Sequence, residues 1–194
     1  MTTEQAQWWA GEAGDAYLAR NRVDWRARVP FWRSILGRTS PNSVLEIGAN
    51  AGWNLRAIRE ASPGTFVCGI DVNREAAALA RRESYLVEVH EATELRGGEP
   101  AEFDVVFTAG LLIHVAPDRL ADVMRAAIYK SRRYVLAVEY AADQEQEIEY
   151  RGEMGKLWKR PFGRLYAEMG LAPVATFEAG PGFDRCTAWL LEKP

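Results

Sequence analysis

The segment Val44-Leu45-Glu46-Ile47-Gly48-Ala49-Asn50-Ala51-Gly52 constrains this chain more than any other. An apolar run passes directly into closely spaced glycines, and Val67-Cys68-Gly69-Ile70-Asp71 follows as a second apolar run ending on a carboxylate. The spacing reads as buried strand, glycine turn, helix and second strand. Glycines permit the tight turn and let backbone amides and a helix N-terminus come close to a ligand. An acidic residue at the tip of the next strand is placed to grip a ribose diol. The segment predicts the nucleoside-binding half of an open α/β sheet.

Two departures from the dinucleotide fingerprint narrow the nucleoside. The run Gly48-x-Asn50-x-Gly52 lacks the third glycine that seats a pyrophosphate, and Glu46 stands two residues before Gly48. A carboxylate there disfavours a diphosphate and favours an ammonium or sulfonium neighbour. S-adenosylmethionine fits this pattern better than a nicotinamide dinucleotide. Asn50 tolerates positive φ better than other non-glycine residues, so the turn survives and its amide is placed to contact the cofactor.

The pattern Glu46-Ile47-Gly48-Ala49-Asn50-Ala51-Gly52 resembles the first motif of the class I S-adenosylmethionine-dependent methyltransferases, an acid, one residue and Gly-x-Gly-x-Gly, with Asn50 in place of the middle glycine. The likeness continues through Asp71 and through Phe103-Asp104-Val105-Val106-Phe107-Thr108, which looks like the family's fourth strand. More narrowly, Trp9-Ala10-Gly11-Glu12, Leu111-Leu112-Ile113-His114, Glu139-Tyr140, Tyr150-Arg151-Gly152 and Lys159-Arg160 resemble methylases encoded with pseudaminic acid biosynthesis. The resemblance implies S-adenosyl-L-methionine as cofactor, S-adenosyl-L-homocysteine as product, and Glu46, Gly48, Asn50, Gly52, Asp71, Val72 and Thr108 beside the cofactor. The adenine N6 partner falls among Glu91, the backbone of Ala92 and Thr93, with Glu91 preferred.

Apolar strands alternate with helical patterns from about residue 43 to 138, as in a parallel sheet covered on both faces. Strands are expected at 43–48, 65–71, 85–89, 103–108 and 132–139, and helices at 51–61, 74–83, 117–129 and 160–170. Pro117 suits a first helical position. Runs 172–179 and 184–192, separated by Gly180-Pro181-Gly182, predict a terminal hairpin. The fold class expected is α/β, a Rossmann-like three-layer sandwich with a seven-stranded, mostly parallel sheet, an antiparallel C-terminal hairpin strand and an N-terminal helical lid. One domain is expected over 1–194, with a helical aromatic-rich lid (1–40), a cofactor-binding core (41–139), an acceptor-side insertion (140–160) and a C-terminal helix and hairpin (161–194). A chain of 194 residues, 48% hydrophobic, suits a single core of this kind.

The formal charge of −3 carries none of the basic footprint of a nucleic-acid binder, so DNA and RNA are disfavoured. No apolar run has spanning length and Met1-Thr2-Thr3-Glu4-Gln5 does not open a signal peptide, so no membrane partner and a cytoplasmic location are expected. Cys68 and Cys186 lie in apolar strand-like runs and read as free buried thiols. No metal-ligand cluster or Gly-x-Ser-x-Gly nucleophile motif is present, and no metal is expected.

Trp8, Trp9, Tyr17, Trp25, Phe31 and Trp32 crowd the first forty residues, and four of the seven tryptophans precede the first strand. They read either as rings packing amphipathic helices onto the domain, or as a lid whose aromatic faces attract a sulfonium. Tyr17 and Arg20, three apart on one helix face, are the choice for covering the cofactor, with Arg20 pairing the methionine carboxylate. They serve a homodimer contact equally well, so monomer and homodimer both stand.

The chemical end of the site is expected past the fourth strand, at Thr108 to His114, because ligands of open parallel sheets bind outside the carboxyl ends of strands. His114 is the candidate base, since its ordinary pKa near 6.5 suits removing a proton during methyl transfer; it reads equally as a loop cap or a packing residue. His90 reads as structural. The stretch 140–160 reads as a solvated loop or as an acceptor lid in which Tyr150, Arg151, Lys159 and Arg160, with Glu139, Tyr140 and His114, hold a phosphate, nucleotide or carboxylate. The reaction expected is methyl transfer to a small anionic or sugar-derived acceptor, with oxygen slightly preferred over nitrogen; the resemblance implies a nucleotide-linked nonulosonate as such an acceptor. The alternatives are another reaction of the same cofactor or a non-catalytic S-adenosylmethionine-binding assembly protein.

Overall fold

The computed structural model describes residues 4–194. Met1 to Thr3, which open the expected lid and carry part of the leader reading, lie outside the described residues. The helices are α1 (Glu4–Ala10), α2 (Glu12–Arg20), α3 (Val29–Thr39), α4 (Trp53–Ala61), α5 (Arg74–Arg82), α6 (Pro117–Lys130) and α7 (Phe162–Glu168). The strands are β1 (Ser43–Ile47), β2 (Phe66–Asp71), β3 (Leu86–Val89), β4 (Phe103–Ala109), β5 (Ser131–Glu139), β6 (Gln146–Tyr150), β7 (Glu153–Lys159), β8 (Ala172–Glu178) and β9 (Thr187–Glu192). Short 3-10 turns cover Trp25–Arg28, Ala92–Gly97 and Leu112–His114.

Seven strands form one sheet in the order β3-β2-β1-β4-β5-β9-β8, parallel from β3 to β5, with β9 antiparallel to both β5 and β8. The expected α/β architecture and its single antiparallel strand are present. The chain direction across the sheet reverses between β1 and β4, so a crevice opens beyond their carboxyl ends, which is where open α/β sheets bind ligands. In register, Glu46 of β1 faces Gly69 on one side and Phe107 on the other.

Alternation along the central strands feeds two cores. Val44, Val105, Phe107 and Leu136 join Trp32, Leu55 and Ile58 on one face. Leu45, Ile47, Val106 and Val135 join Met124, Phe162 and Tyr166 on the other. Helix spacing explains the facing layers, because α6 buries Leu120, Val123, Met124 and Ala127 at intervals of one helical turn. Pro117 occupies the start of α6, and Asn73 caps α5 by accepting from Ala76 N at 2.8 Å. Cys68 and Cys186 are free and buried.

Gly69 is what lets the glycine turn fold back over β2. A Cβ at this position would stand 2.4 Å from Ala49 Cβ and 3.2 Å from Glu46 O. Gly69→Ala is expected to destabilise the protein by about 1–3 kcal/mol through overpacking, read as a Tm loss of several degrees; an unchanged Tm would contradict the close approach.

The stretch 140–160 differs from the expected loop. β6 and β7 form a separate antiparallel hairpin, and Arg151 and Gly152 close it with φ of 55° and 84°. Two central residues at positive φ are what a two-residue hairpin turn of the right twist requires. Ile148, Tyr150 and Leu157 pack on the second core while Glu147 and Glu149 face water, so the period-two pattern was present in the sequence behind its high charge. The helix expected over 160–170 begins only at Phe162, because Arg160 is held in a bridge to Ala141 and Pro161 precedes the first turn.

Candidate active site

A cavity of about 180 Å³ lies at the crevice beyond β1 and β4. Glu46, Gly48, Asn50, Asp71, Val72, Glu91, Ala92, His114 and Tyr17 all line it, which brings together most of the residues picked from the sequence. The turn is held from below: Gly48 N and Ala49 N both donate to Ile70 O at 2.9 Å, and Asn50 N donates to Asp71 Oδ2 at 2.7 Å. Gly48, Asn50 and Gly52 sit at φ of 80°, 48° and 75°, the left-handed region that glycine adopts freely and in which Asn is enriched among non-glycine residues. The Asn50 carboxamide is spent on the turn itself, its Oδ1 accepting from Ala51 N at 2.8 Å, rather than standing free for a ligand.

Glu46 is buried, and one of its oxygens accepts from Asn54 Nδ2 at 2.6 Å. The other oxygen has no hydrogen-bond partner among the described residues. Burial pushes the carboxyl up to about 8. Asn54 in turn accepts from Arg28 Nη1 at 2.9 Å, so Glu46, Asn54 and Arg28 form a chain of acid, amide and base along one wall. Asp71 accepts at Oδ2 from Asn50 N and at Oδ1 from Asn73 N at 2.8 Å; burial nevertheless raises its pKa.

The N-terminal helices cover the cavity. Trp9, Gly14 and Tyr17 line it, and Gln5 Oε1 accepts from Ala116 N at 2.6 Å. Asn73 Nδ2 donates to Asp15 Oδ1 at 2.7 Å and ties α2 to the loop after β2. Gly14 is required by this seating, because a Cβ there would lie 1.9 Å from Trp9 O.

His114 sits in the 3-10 turn Leu112–His114, its ring 4.5 Å from Trp9 and 5.1 Å from Tyr150 between centroids. Its Nδ1 lies 2.7 Å from Lys156 O of β7. A carbonyl only accepts, so Nδ1 carries the proton and Nε2 keeps its lone pair. Burial pushes the imidazole pKa down to about 4, so the ring is neutral at pH 7.

Several expected contacts are corrected. Arg20 does not line the cavity; its Nη2 donates to Tyr150 Oη at 3.1 Å, and the arginines on the wall are Arg28 and Arg119. Thr108 is buried in β4, beneath the cavity rather than on it. Glu139 is fully buried and holds the turn instead of facing an acceptor: its carboxylate accepts from Leu111 N at 3.2 Å, Leu112 N at 3.1 Å and Ile113 N at 3.4 Å. Even so, burial raises its pKa to about 7. Arg160 is also buried, and its Nη1 grips the same turn from the carbonyl side, at Leu112 O and Val115 O, while Nε pairs with Glu145 at 2.7 Å. Arg151 is exposed at the hairpin tip. Tyr150 remains beside His114, and Tyr140 and Lys159 line a second groove.

The polar wall residues that escaped the sequence reading include Arg28, Asn54 and His90. Arg28 and Asn54 carry no motif signal, because their roles depend on α4 and the Trp25–Arg28 turn meeting at Glu46. His90, read as structural, lines the cavity and stands 3.4 Å from Glu88 and 3.5 Å from Glu94. Among the described residues no group of three or more His, Cys, Asp or Glu is placed to hold a metal ion, and no helix is long and apolar enough to cross a membrane.

The fold is shared with solved methyltransferase structures. The chain superposes on the 1,6-didemethyltoxoflavin-N1-methyltransferase of Burkholderia thailandensis, solved with bound 1,6-didemethyltoxoflavin and S-adenosylhomocysteine, with a TM-score of 0.71 at 17% identity over 97% of this chain and 86% of that one. A sugar N-methyltransferase from Streptoalloteichus gives 0.70 at 15% over 94% and 93%. The magnesium protoporphyrin IX methyltransferase of Synechocystis with bound S-adenosylhomocysteine gives 0.73 at 12% over 97% and 98%. At such identities the likeness is one of fold. No curated protein matches the chain in sequence. Residues 45–134, a little under half of the chain, match the family described as a methyltransferase domain. That stretch carries the Gly48–Gly52 turn, Asp71 and the His114 segment.

Proposed function

We propose that this chain transfers a methyl group from S-adenosylmethionine to a small anionic or sugar-derived acceptor, with oxygen preferred over nitrogen. One observation supports the reading: Glu46 with its unpartnered buried oxygen, Asp71, and His114 with Nδ1 engaged by Lys156 O all line a single cavity. The donor set suits this cofactor. Glu46 matches an ammonium or sulfonium, Arg28 a carboxylate, Asp71 a ribose diol, and Val72, Asn73 and Ala92 the adenine, with Glu91 at its polar edge. Tyr17 and Trp9 present aromatic faces that suit a cation, which supports reading α1 and α2 as a lid.

When bound, the cofactor supplies a methyl group activated by positive sulfur. The chain's own part is to align the acceptor, exclude water beneath α1 and α2, and accept a proton at His114 Nε2. Glu139 and Arg160 fix the turn that presents this nitrogen. Acceptors differ among proteins of this fold; the resemblance to pseudaminic acid methylases points to a nucleotide-linked nonulosonate, methylated in the cytoplasm.

Calorimetric titration with S-adenosylmethionine, S-adenosylhomocysteine and NAD tests the cofactor. Binding of the first two without NAD is the expected result, and binding of neither would sink the reading. His114→Ala is expected to leave S-adenosylhomocysteine affinity within about twofold while lowering turnover by roughly 10²–10⁴, the usual contribution of a general base. Full turnover in that variant would remove His114 from the chemistry.

A further inference from the structure

A second groove, of about 330 Å³, is lined by Tyr140, Ala141, Lys159, Asp184 and Arg185, a volume at the lower end of the roughly 300–1,000 Å³ typical of small-molecule sites. It lies beside the first cavity, since Asp184 is within electrostatic reach of Tyr17, Arg28 and Tyr140. The loop carrying Asp184 and Arg185 is also pinned to that cavity, because Arg28 Nε donates to Gly182 O at 2.8 Å. Among the described residues, neither Lys159 nor Arg185 makes an ion pair, and the Asp184 carboxylate has none either. Lys159 Nζ instead stands 5.9 Å from the centre of the Tyr140 ring.

We propose that Lys159 and Arg185 form an anion subsite that takes a carboxylate or phosphate of the acceptor, with Asp184 accepting from a neighbouring hydroxyl or amine and the Tyr140 ring forming the wall. Two unpaired cations flanking one acid leave the groove with a net positive charge, in a protein whose overall charge is negative. Arginine offers a planar fork and lysine a point charge, a combination suited to an oxyanion. An uncharged acceptor would leave both cations unused. Assigning the subsite to the acceptor rests on the methyl-transfer reading; anion binding in the groove does not.

Backbone amide shifts of the ¹⁵N-labelled protein test the subsite during separate titrations with sodium phosphate and sodium acetate, at ionic strength held constant with chloride. The amides of Tyr140, Ala141, Lys159, Asp184 and Arg185 are expected to move and saturate. The Lys159→Gln/Arg185→Gln double variant is expected to weaken this binding by at least about tenfold, as loss of charge-assisted contacts requires, whereas Lys159→Arg retains it. S-adenosylhomocysteine affinity within about twofold of wild type shows that the double variant is folded. Tighter phosphate binding assigns a phosphorylated acceptor and tighter acetate binding a carboxylate; both support the subsite. Absent or unsaturable shifts at these amides, shifts matched by chloride alone, or shifts unchanged in the double variant would overturn it. Failure of the wild type to bind S-adenosylhomocysteine would overturn methyl transfer while leaving the anion result standing.

Discussion

Asp71→Ala is expected to lower the affinity for S-adenosylhomocysteine by about 100-fold, close to 3 kcal/mol, as measured by calorimetry. The size follows from two losses at one point. The carboxylate is proposed to accept from both ribose hydroxyls, and charge-assisted hydrogen bonds contribute about 1.5–3 kcal/mol each. It also accepts from Asn50 N and Asn73 N, so its removal loosens the turn at Asn50 and the start of the loop that seats α2. Asp71→Asn keeps the size and one acceptor oxygen but no charge, and is expected to fall between wild type and alanine. Unchanged affinity in Asp71→Ala, with the fold intact by Tm, would withdraw the ribose assignment.

The second large effect concerns the Glu46 proton. Burial holds this carboxyl at about 8, against an ordinary value of 4.5, so at pH 7 the free protein carries the proton. A cationic ligand group beside the unpartnered oxygen favours the charged form and lowers the pKa again. Binding of S-adenosylmethionine at pH 7 is therefore expected to release up to about one proton, and affinity should rise by up to about tenfold per pH unit as pH 8 is approached from below. Calorimetry in two buffers of different ionisation enthalpy counts the proton. Glu46→Gln should release none and lose the pH dependence; a wild-type protein that binds without proton release would show that the ligand's cation lies elsewhere. Folding responds in the opposite sense. The folded state keeps the proton up to about pH 8 while the unfolded chain gives it up near 4.5, so this group's contribution to stability declines as pH rises between those values.

Much of the fold was legible because it depends on local, periodic signals. Val67 to Ile70 and Val105 to Phe107 are continuous apolar runs, as strands buried on both faces must be, Val44 to Ile47 is interrupted only by Glu46, and Pro117 marks a helix start. The turn from Gly48 to Gly52 and the carboxylate at Asp71 were readable for the same reason: their geometry is a matter of φ and of chain spacing. The β6–β7 hairpin was obscured by Glu145, Glu147 and Glu149, whose charges mask a pattern in which Ile148 and Tyr150 face inward.

The sequence by itself determined an α/β sheet with a nucleoside turn at Gly48 and an acid at the next strand end, because backbone conformation and hydrophobic period are written within a few residues of each other. Only the tertiary structure decided which charged groups face the cavity. Arg20 and Arg28 are indistinguishable by composition, yet the first meets Tyr150 and the second meets Asn54. Glu139 and Arg160 looked like acceptor ligands, yet they close on the two sides of the His114 turn. The reason is physical: a long polar side chain takes its partner from whatever element packs within reach, and that packing joins residues dozens of positions apart in the chain.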